Sequence, residues 1–162
     1  MGKDYLYSLF EPQSTAIVGS DDCIDSAGQV VLDNPLHSAF QCKIHPVTPS
    51  CQTMQGQKAH PSLSPFDLAV DLEDITTSSL SSSTPIDDRG QHDIKVIIIL
   101  TARFGKSGCR PDRKQKRIKK SRQDRNQMIG PNSPGLMRPP FGLNTTFNKN
   151  SNTKSILISS KY

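Results

Sequence analysis

Gly130-Pro131-Asn132-Ser133-Pro134-Gly135 sets two glycines, two prolines and an amide side chain within six consecutive residues. Glycine lets a backbone approach another group closely, proline fixes a turn, and an asparagine amide both donates and accepts hydrogen bonds. Such a loop suits ligand binding or the packing of neighbouring loops, with Asn132 and Ser133 as its candidate contacts. A second candidate starts at Gly19, which ends the apolar run Thr15-Ala16-Ile17-Val18 and leads to a helical pattern opening near Gly28. A turn after a parallel strand and before a helix presents main-chain N–H groups to a phosphate. The strict G-x-G-x-x-G spacing of dinucleotide sites is absent. Ser20 and Asp21 occupy the turn. Asp21, Asp22 and Asp25 set three carboxylates where a pyrophosphate is repelled unless a cation intervenes.

Two further loops complete the set. Pro46-Val47-Thr48-Pro49 is a rigid exit from an apolar segment, and Leu100-Thr101-Ala102-Arg103-Phe104-Gly105 ends the most apolar run of the chain. Arg103 there either pairs with a phosphate or fills the pocket. Chemistry beyond binding has little support. His37, His45, His60 and His92 fall in turns or at strand ends, with no Gly-x-Ser-x-Gly elbow and no base with an orienting partner. The four cysteines form no C-x-x-C pair, and Cys42, Cys51, His45 and His60 match no zinc spacing. No catalytic residue and no metal ligand is assigned.

These loops need strands to hold them. Thr15–Val18, Ile44–Val47, Phe66–Val70, Lys95–Thr101, Gln127–Gly130 and Ser155–Ile158 read as six strands, and Ala27–Leu36 as a helix. The continuous run Val96–Ile99 suits a central parallel strand covered on both faces. The expected architecture is α/β and Rossmann-like, one domain over residues 9–158 with a mostly parallel sheet. Parallel strands require crossovers. Two of these have few apolar residues to anchor a helix: the Ser/Thr-rich stretch within Asp71–Asp93, and the basic segment 110–126, whose apolar face reduces to Ile118.

With 162 residues, 33% of them hydrophobic and no Trp, there is material for a single modest core. The net charge of +5 is local: Arg103 to Arg125 holds eleven Lys or Arg against two Asp, or +9, leaving −4 on the rest. Clustered cations can contact nucleic acid, but Arg110 to Arg125 has no aromatic residue for base stacking, so nucleic acid is an unlikely partner and a solvated segment the simpler reading. Met1–Phe10 lacks the apolar stretch of a signal peptide, and Val96–Leu100 is too short to span a bilayer. A soluble cytoplasmic protein with reduced thiols, and no membrane partner, is expected.

The ordered loops, together with Gly142-Leu143-Asn144-Thr145-Thr146-Phe147, resemble the CoA-binding domain of nucleoside-diphosphate-forming acyl-CoA synthetases, including the succinyl-CoA synthetase alpha subunit and the N-terminal region of bacterial protein lysine acetyltransferases. In that family the last loop reads Gly-Pro-Asn-Cys-Pro-Gly or Gly-Pro-Asn-Ser-Leu-Gly, and the first Gly-Ala-Ser followed by a second glycine. This chain departs by placing Ser20 and Asp21 at the alanine and serine positions, Ser50 where a lysine is common, and Arg103 in place of a glycine. The resemblance implies that CoA or acyl-CoA contacts Gly19, Ser20, Asp21, Gly28, Pro46, Thr48, Pro49, His60, Thr101, Ala102, Asn132 and Ser133, with His60 as a wall of the adenine pocket. The family's active histidine and its ligase and acetyltransferase domains follow the region matched. The expectation is therefore a truncated binding module, not catalytic alone, completed by a following domain or a partner chain. The alternatives are a decayed remnant of the domain and a basic nucleic-acid-binding protein.

Overall fold

The computed structural model describes residues 3–19, 26–63, 70–77, 94–100, 127–130 and 132–149. Five strands form one parallel sheet: β1 (Ser14–Val18), β2 (Lys43–Val47), β5 (Leu72–Ile75), β6 (Val96–Ile99) and β7 (Gln127–Ile129), in the order β2-β1-β5-β6-β7. Two small antiparallel pairs lie outside it. β3 (Thr53–Met54) pairs with β4 (Gln57–Lys58), and β8 (Met137–Arg138) pairs with β9 (Leu143–Asn144) around a 3-10 turn at Pro139–Phe141. The α/β, Rossmann-like expectation holds.

Alternation along the strands divides the core into two layers. Ile17, Leu72, Val96 and Ile98 face one side, where α1 (Lys3–Phe10) adds Leu9 and α2 (Ala27–Leu36) adds Val31 and Leu32. Ala16, Val18, Val47, Ile75, Ile97 and Ile99 face the other, with Val70 and Ile94 packed among them. α2 starts where expected: the Ser26 hydroxyl accepts the Gln29 N–H at 3.0 Å, and Pro35 falls in the last turn, just before the helix ends. α1 is a finding beyond the sequence reading. It docks through Tyr5 and Leu9, four residues apart on one helix face, and leaves Leu6, Tyr7 and Phe10 exposed. Neither described helix is long and apolar enough to cross a membrane.

One strand corrects the reading. The third parallel strand is Leu72–Ile75, not Phe66–Val70; Val70 is buried but precedes it, and residues 64–69 lie outside the described residues. Its sequence, Leu-Glu-Asp-Ile, carries two acids at positions flanked by β1 and β6, a pattern that reads as polar loop until the pairing partners are known. The expected strand Ser155–Ile158, most of the Ser/Thr-rich crossover and the whole basic segment also lie outside the described residues.

Candidate functional site

Four main-chain hydrogen bonds build the carboxyl edge of the sheet. Gly19 N–H donates to Val47 O at 3.0 Å, Thr76 N–H to Val18 O at 2.9 Å, Leu100 N–H to Ile75 O at 3.0 Å, and Ser133 N–H to Ile99 O at 3.1 Å. Each joins the loop leaving one strand to the last carbonyls of its neighbour. The glycine and proline loops singled out in the sequence are thereby gathered on one edge. The connection reverses direction between β1 and β5, since β2 lies on one side of β1 and β5 on the other. In open α/β sheets that reversal opens a crevice beyond the strand ends, where ligands bind.

Gly19 holds φ at +85°, and a Cβ there would lie 2.6 Å from Thr77 Cβ, so no other residue fits between the ends of β1 and β5. Thr76 reinforces the junction, its hydroxyl donating to Val18 O at 3.0 Å. Ser20 and Asp21 lie outside the described residues; Gly28 is buried in the first turn of α2, which carries no acidic residue. At the second loop the chain pairs with a later segment. Thr48 N–H donates to His60 O at 2.8 Å and His60 N–H to Pro46 O at 2.9 Å, extending edge strand β2 outward. Pro46 is tolerated because β2 is an edge. Thr48 is buried and its hydroxyl accepts the Ser50 N–H at 3.3 Å, while Pro49 is exposed.

His60 is half-buried at this corner, its ring edge-to-face with His45 at 5.7 Å between centroids. Burial pushes the His45 imidazole below its usual range, helped by the nearby His60 and Lys43 charges. Among the described residues no three His, Cys, Asp or Glu gather into a metal-binding group. Thr101 and Ala102, expected at the fourth loop, lie outside the described residues beyond buried Leu100.

At the last loop Gly130 has φ at +101°, and a Cβ would stand 2.5 Å from Ile99 O, so the loop lies directly on the end of β6. Asn132 adopts a left-handed φ of 65°. Ser133 is buried, and its hydroxyl accepts the Gly135 N–H at 3.2 Å. Leu136 then pairs with Thr145: Thr145 N–H donates to Leu136 O at 2.8 Å and Leu136 N–H to Thr145 Oγ1 at 3.3 Å. Buried Asn34 of α2 donates from Nδ2 to Thr146 O at 2.7 Å and Asn148 O at 3.0 Å. The structure thus brings Gly19, Pro46, Thr48, His60, Asn132 and Ser133 to one edge, while Thr48 and Ser133 spend their hydroxyls inside their own loops.

Sequence reasoning missed Asn34 and Asp74. Asp74 is fully buried in β5 and accepts from Thr15 Oγ1 at 3.2 Å. Burial raises its carboxyl to about 7; hydrogen bonds from the Thr145 and Thr15 side chains oppose the rise, and the neighbouring Glu73 adds to it. Asn144-Thr145-Thr146 was visible as part of a motif, but nothing in it announced a carboxyl partner some seventy residues earlier in the chain.

The sequence profile of the CoA binding domain matches residues 13–139, from the start of β1 to the turn after β8. The chain belongs to this family. It is 30% identical over 150 residues to the ADP-forming acetate–CoA ligase of Methanocaldococcus jannaschii, covering 91% of this chain and 21% of that protein. It is 29% identical over 140 residues to the alpha subunit of the ADP-forming acetate–CoA ligase II of Pyrococcus furiosus, covering 86% of this chain and 30% of that subunit. Among solved structures, a dinucleotide-forming acetyl-coenzyme A synthetase of Candidatus Korarchaeum cryptofilum, in complex with phosphate and ADP, superposes with a TM-score of 0.78 at 28% identity. It covers 91% of this chain and 32% of that one. A hypothetical protein from Pyrococcus horikoshii shares the fold at a TM-score of 0.61 and 16% identity. The chain thus spans between a fifth and a third of the ligases it matches. It resembles the CoA-binding region of these nucleoside-diphosphate-forming synthetases.

Proposed function

We propose that the chain binds CoA or acyl-CoA at the carboxyl edge of its sheet, in the crevice bounded by Gly19, Thr48, His60 and Asn132, and catalyses no reaction alone. The four loop-to-strand hydrogen bonds that draw these loops onto one edge carry this reading. The residues present suit the ligand in part. Backbone close to Gly19 and the first turn of α2 would meet phosphate groups through N–H donors, with Ser20, Asp21, Thr101 and Ala102 as further contacts. His60 offers a half-buried ring beside which an adenine can lie, and Asn132 an amide at the rim. The described stretches of these loops carry no Lys or Arg, so phosphate recognition there rests on main-chain donors and on hydroxyls that the folded loops do not use.

We further propose that the binding domain runs from residue 9 to 158 and that ligase chemistry on the captured ligand belongs to a following domain or a partner chain. The relative named as an alpha subunit, of which this chain covers 30%, supports that division. Titration calorimetry with CoA, ADP and a short DNA duplex tests the reading. The expected result is heat with CoA, weaker heat with ADP and none with the duplex, with CoA binding reduced in His60→Ala and Asn132→Ala proteins of unchanged circular dichroism. Equal binding of CoA by wild type and both variants, or binding of the duplex alone, overturns it.

A further inference from the structure

The stretch from residue 34 to 66 contains no Asp or Glu, yet it holds Lys43, Lys58 and three histidines. Two of those histidines meet on one face of edge strand β2. Alternation along β2 sets Lys43, His45 and Val47 on the same side, and the paired main-chain bonds of His60 with Pro46 and Thr48 bring His60 in beside Val47. The His45 and His60 rings stand edge-to-face, 5.7 Å between centroids, and both residues are half-buried. Lys43 and His60 act on His45 as like charges. Among the described residues, the elements packed around this pair bring no opposite charge to it. β1 sets Ala16 opposite His45 and Val18 opposite Val47, β4 carries exposed Lys58, and Leu63 packs into the same layer. Glu73 lies one strand beyond Ala16 and is fully buried.

We propose that Lys43, His45 and His60 form an anion subsite that recognises the 3′-phosphate on the ribose of CoA, apart from the pyrophosphate met at the Gly19 turn. The inference rests on the reading of CoA at this sheet edge, and adds to it a group that a plain adenine nucleotide such as ADP lacks. Like charges gathered on one surface repel each other, and a phosphate set among them replaces that repulsion with attraction. Ammonium and imidazolium both donate charge-assisted hydrogen bonds to phosphate oxygens, and at half-buried positions solvent and salt screen them less than on an open surface. Position agrees with this use. His60 is the ring beside which the adenine lies in that reading, and the 3′-phosphate hangs from the ribose joined to that base. The turn Pro46–Pro49 and the Ser50 that follows it bring no charge, so a cationic partner for an anion at this corner comes from β2 and from the segment that pairs with it.

Titration calorimetry of the full chain with CoA and with 3′-dephospho-CoA, at pH 5.5 and pH 8, reads the subsite as the ratio of the two affinities. The preference for CoA should be about tenfold at pH 5.5, where the imidazoles take up protons beside the phosphate, and about threefold at pH 8, where Lys43 acts alone. The direction is diagnostic, because the phosphate itself gains charge over this range and would by itself strengthen the preference as pH rises. In His45→Gln the preference at pH 5.5 should drop to about threefold and no longer fall with pH, and in Lys43→Gln it should drop at both pH values. Because each variant is judged by a ratio, a general loss of folding or of adenosine binding cancels. Equal affinity for the two ligands at both pH values, a wild-type preference that rises with pH, or a preference untouched by both substitutions overturns the proposal and leaves CoA binding at the edge standing. Binding of neither ligand overturns both.

Discussion

β5 and β6 are adjacent strands of equal length, paired in register from Leu72 opposite Val96 to Ile75 opposite Ile99, and no residue of either is more than 1% exposed. One reads Val-Ile-Ile-Ile and the other Leu-Glu-Asp-Ile. The first advertises its position; the second conceals it. The difference teaches that burial here follows from topology. Once β1 and β6 stand on either side, the residues between them have nowhere else to go, and acids placed there must be neutralised or hydrogen-bonded. Beyond the main-chain pairing that both strands share, the side chains of β6 add only apolar contact, whereas β5 retains its place through Leu72 and Ile75 and meets the cost of Asp74 with hydroxyl donors and a carboxyl pushed up to about 7.

The largest effect should come from making the two strands alike in the wrong direction. Ile98→Asp puts a second carboxyl beside Asp74 with no hydroxyl to receive it, and denaturant unfolding should show a loss of about 4 kcal/mol or more. A loss under about 2 kcal/mol would mean that the sheet centre is wetter than its burial implies.

Next is pH. The Asp74 carboxyl is raised from 3.8 to about 7 in the folded chain, so between those values the folded state binds more protons than the unfolded one. Stability is full at the acid end and falls as pH rises, by on the order of 3 kcal/mol from pH 5 to pH 8 through this group. Asp74→Asn should flatten that part of the profile and leave the variant more stable than the wild type at pH 8. Identical slopes in the two proteins would assign the dependence to other groups.

The smallest change sharpens the contrast from the partner's side. Thr15→Val keeps the shape but removes the hydroxyl donated to Asp74 Oδ2. It should cost about 2 kcal/mol at pH 8, where the acceptor is charged, and about 1 kcal/mol at pH 5. A cost independent of pH would separate Thr15 from the carboxyl's ionisation.

What could be read beforehand follows the same division. β1, β2 and β7 announce themselves by apolar runs that Gly or Pro ends, β6 by its continuous Val96–Ile99 run, and α2 by Val30-Val31-Leu32 before Pro35. β5 does not, because its identity lies in its neighbours. α1 is not legible in the sequence because Leu6, Tyr7 and Phe10, all exposed, blur the apolar stripe that Tyr5 and Leu9 form. At the site, Gly19 and the Gly130–Gly135 loop were legible because close backbone approach requires those residue types. Thr48 and Ser133 lie on the carboxyl edge of the sheet, and the hydrogen bonds their hydroxyls accept within their own loops are not foreseeable from the sequence. Asn34 and Asp74 were invisible because their partners stand 112 and 59 residues away.

The strand order also governs how the chain reaches this state. No two neighbours in the five-stranded sheet are joined by a tight turn: Ser14 waits for Lys43, Thr15 for Leu72, and Val96 for Gln127. No local hairpin can therefore seed the main sheet, and each pairing must first close a long loop, which makes parallel sheets intrinsically slow to assemble. During synthesis β1 emerges with both of its edges unsatisfied and stays so until β2 and then β5 follow. The Val-Ile-Ile-Ile stretch of β6 then waits in turn for Gln127–Ile129 to cover its far edge. For as long as that wait lasts, the segment that contributes most to the finished core is also the one most prone to pair with another chain.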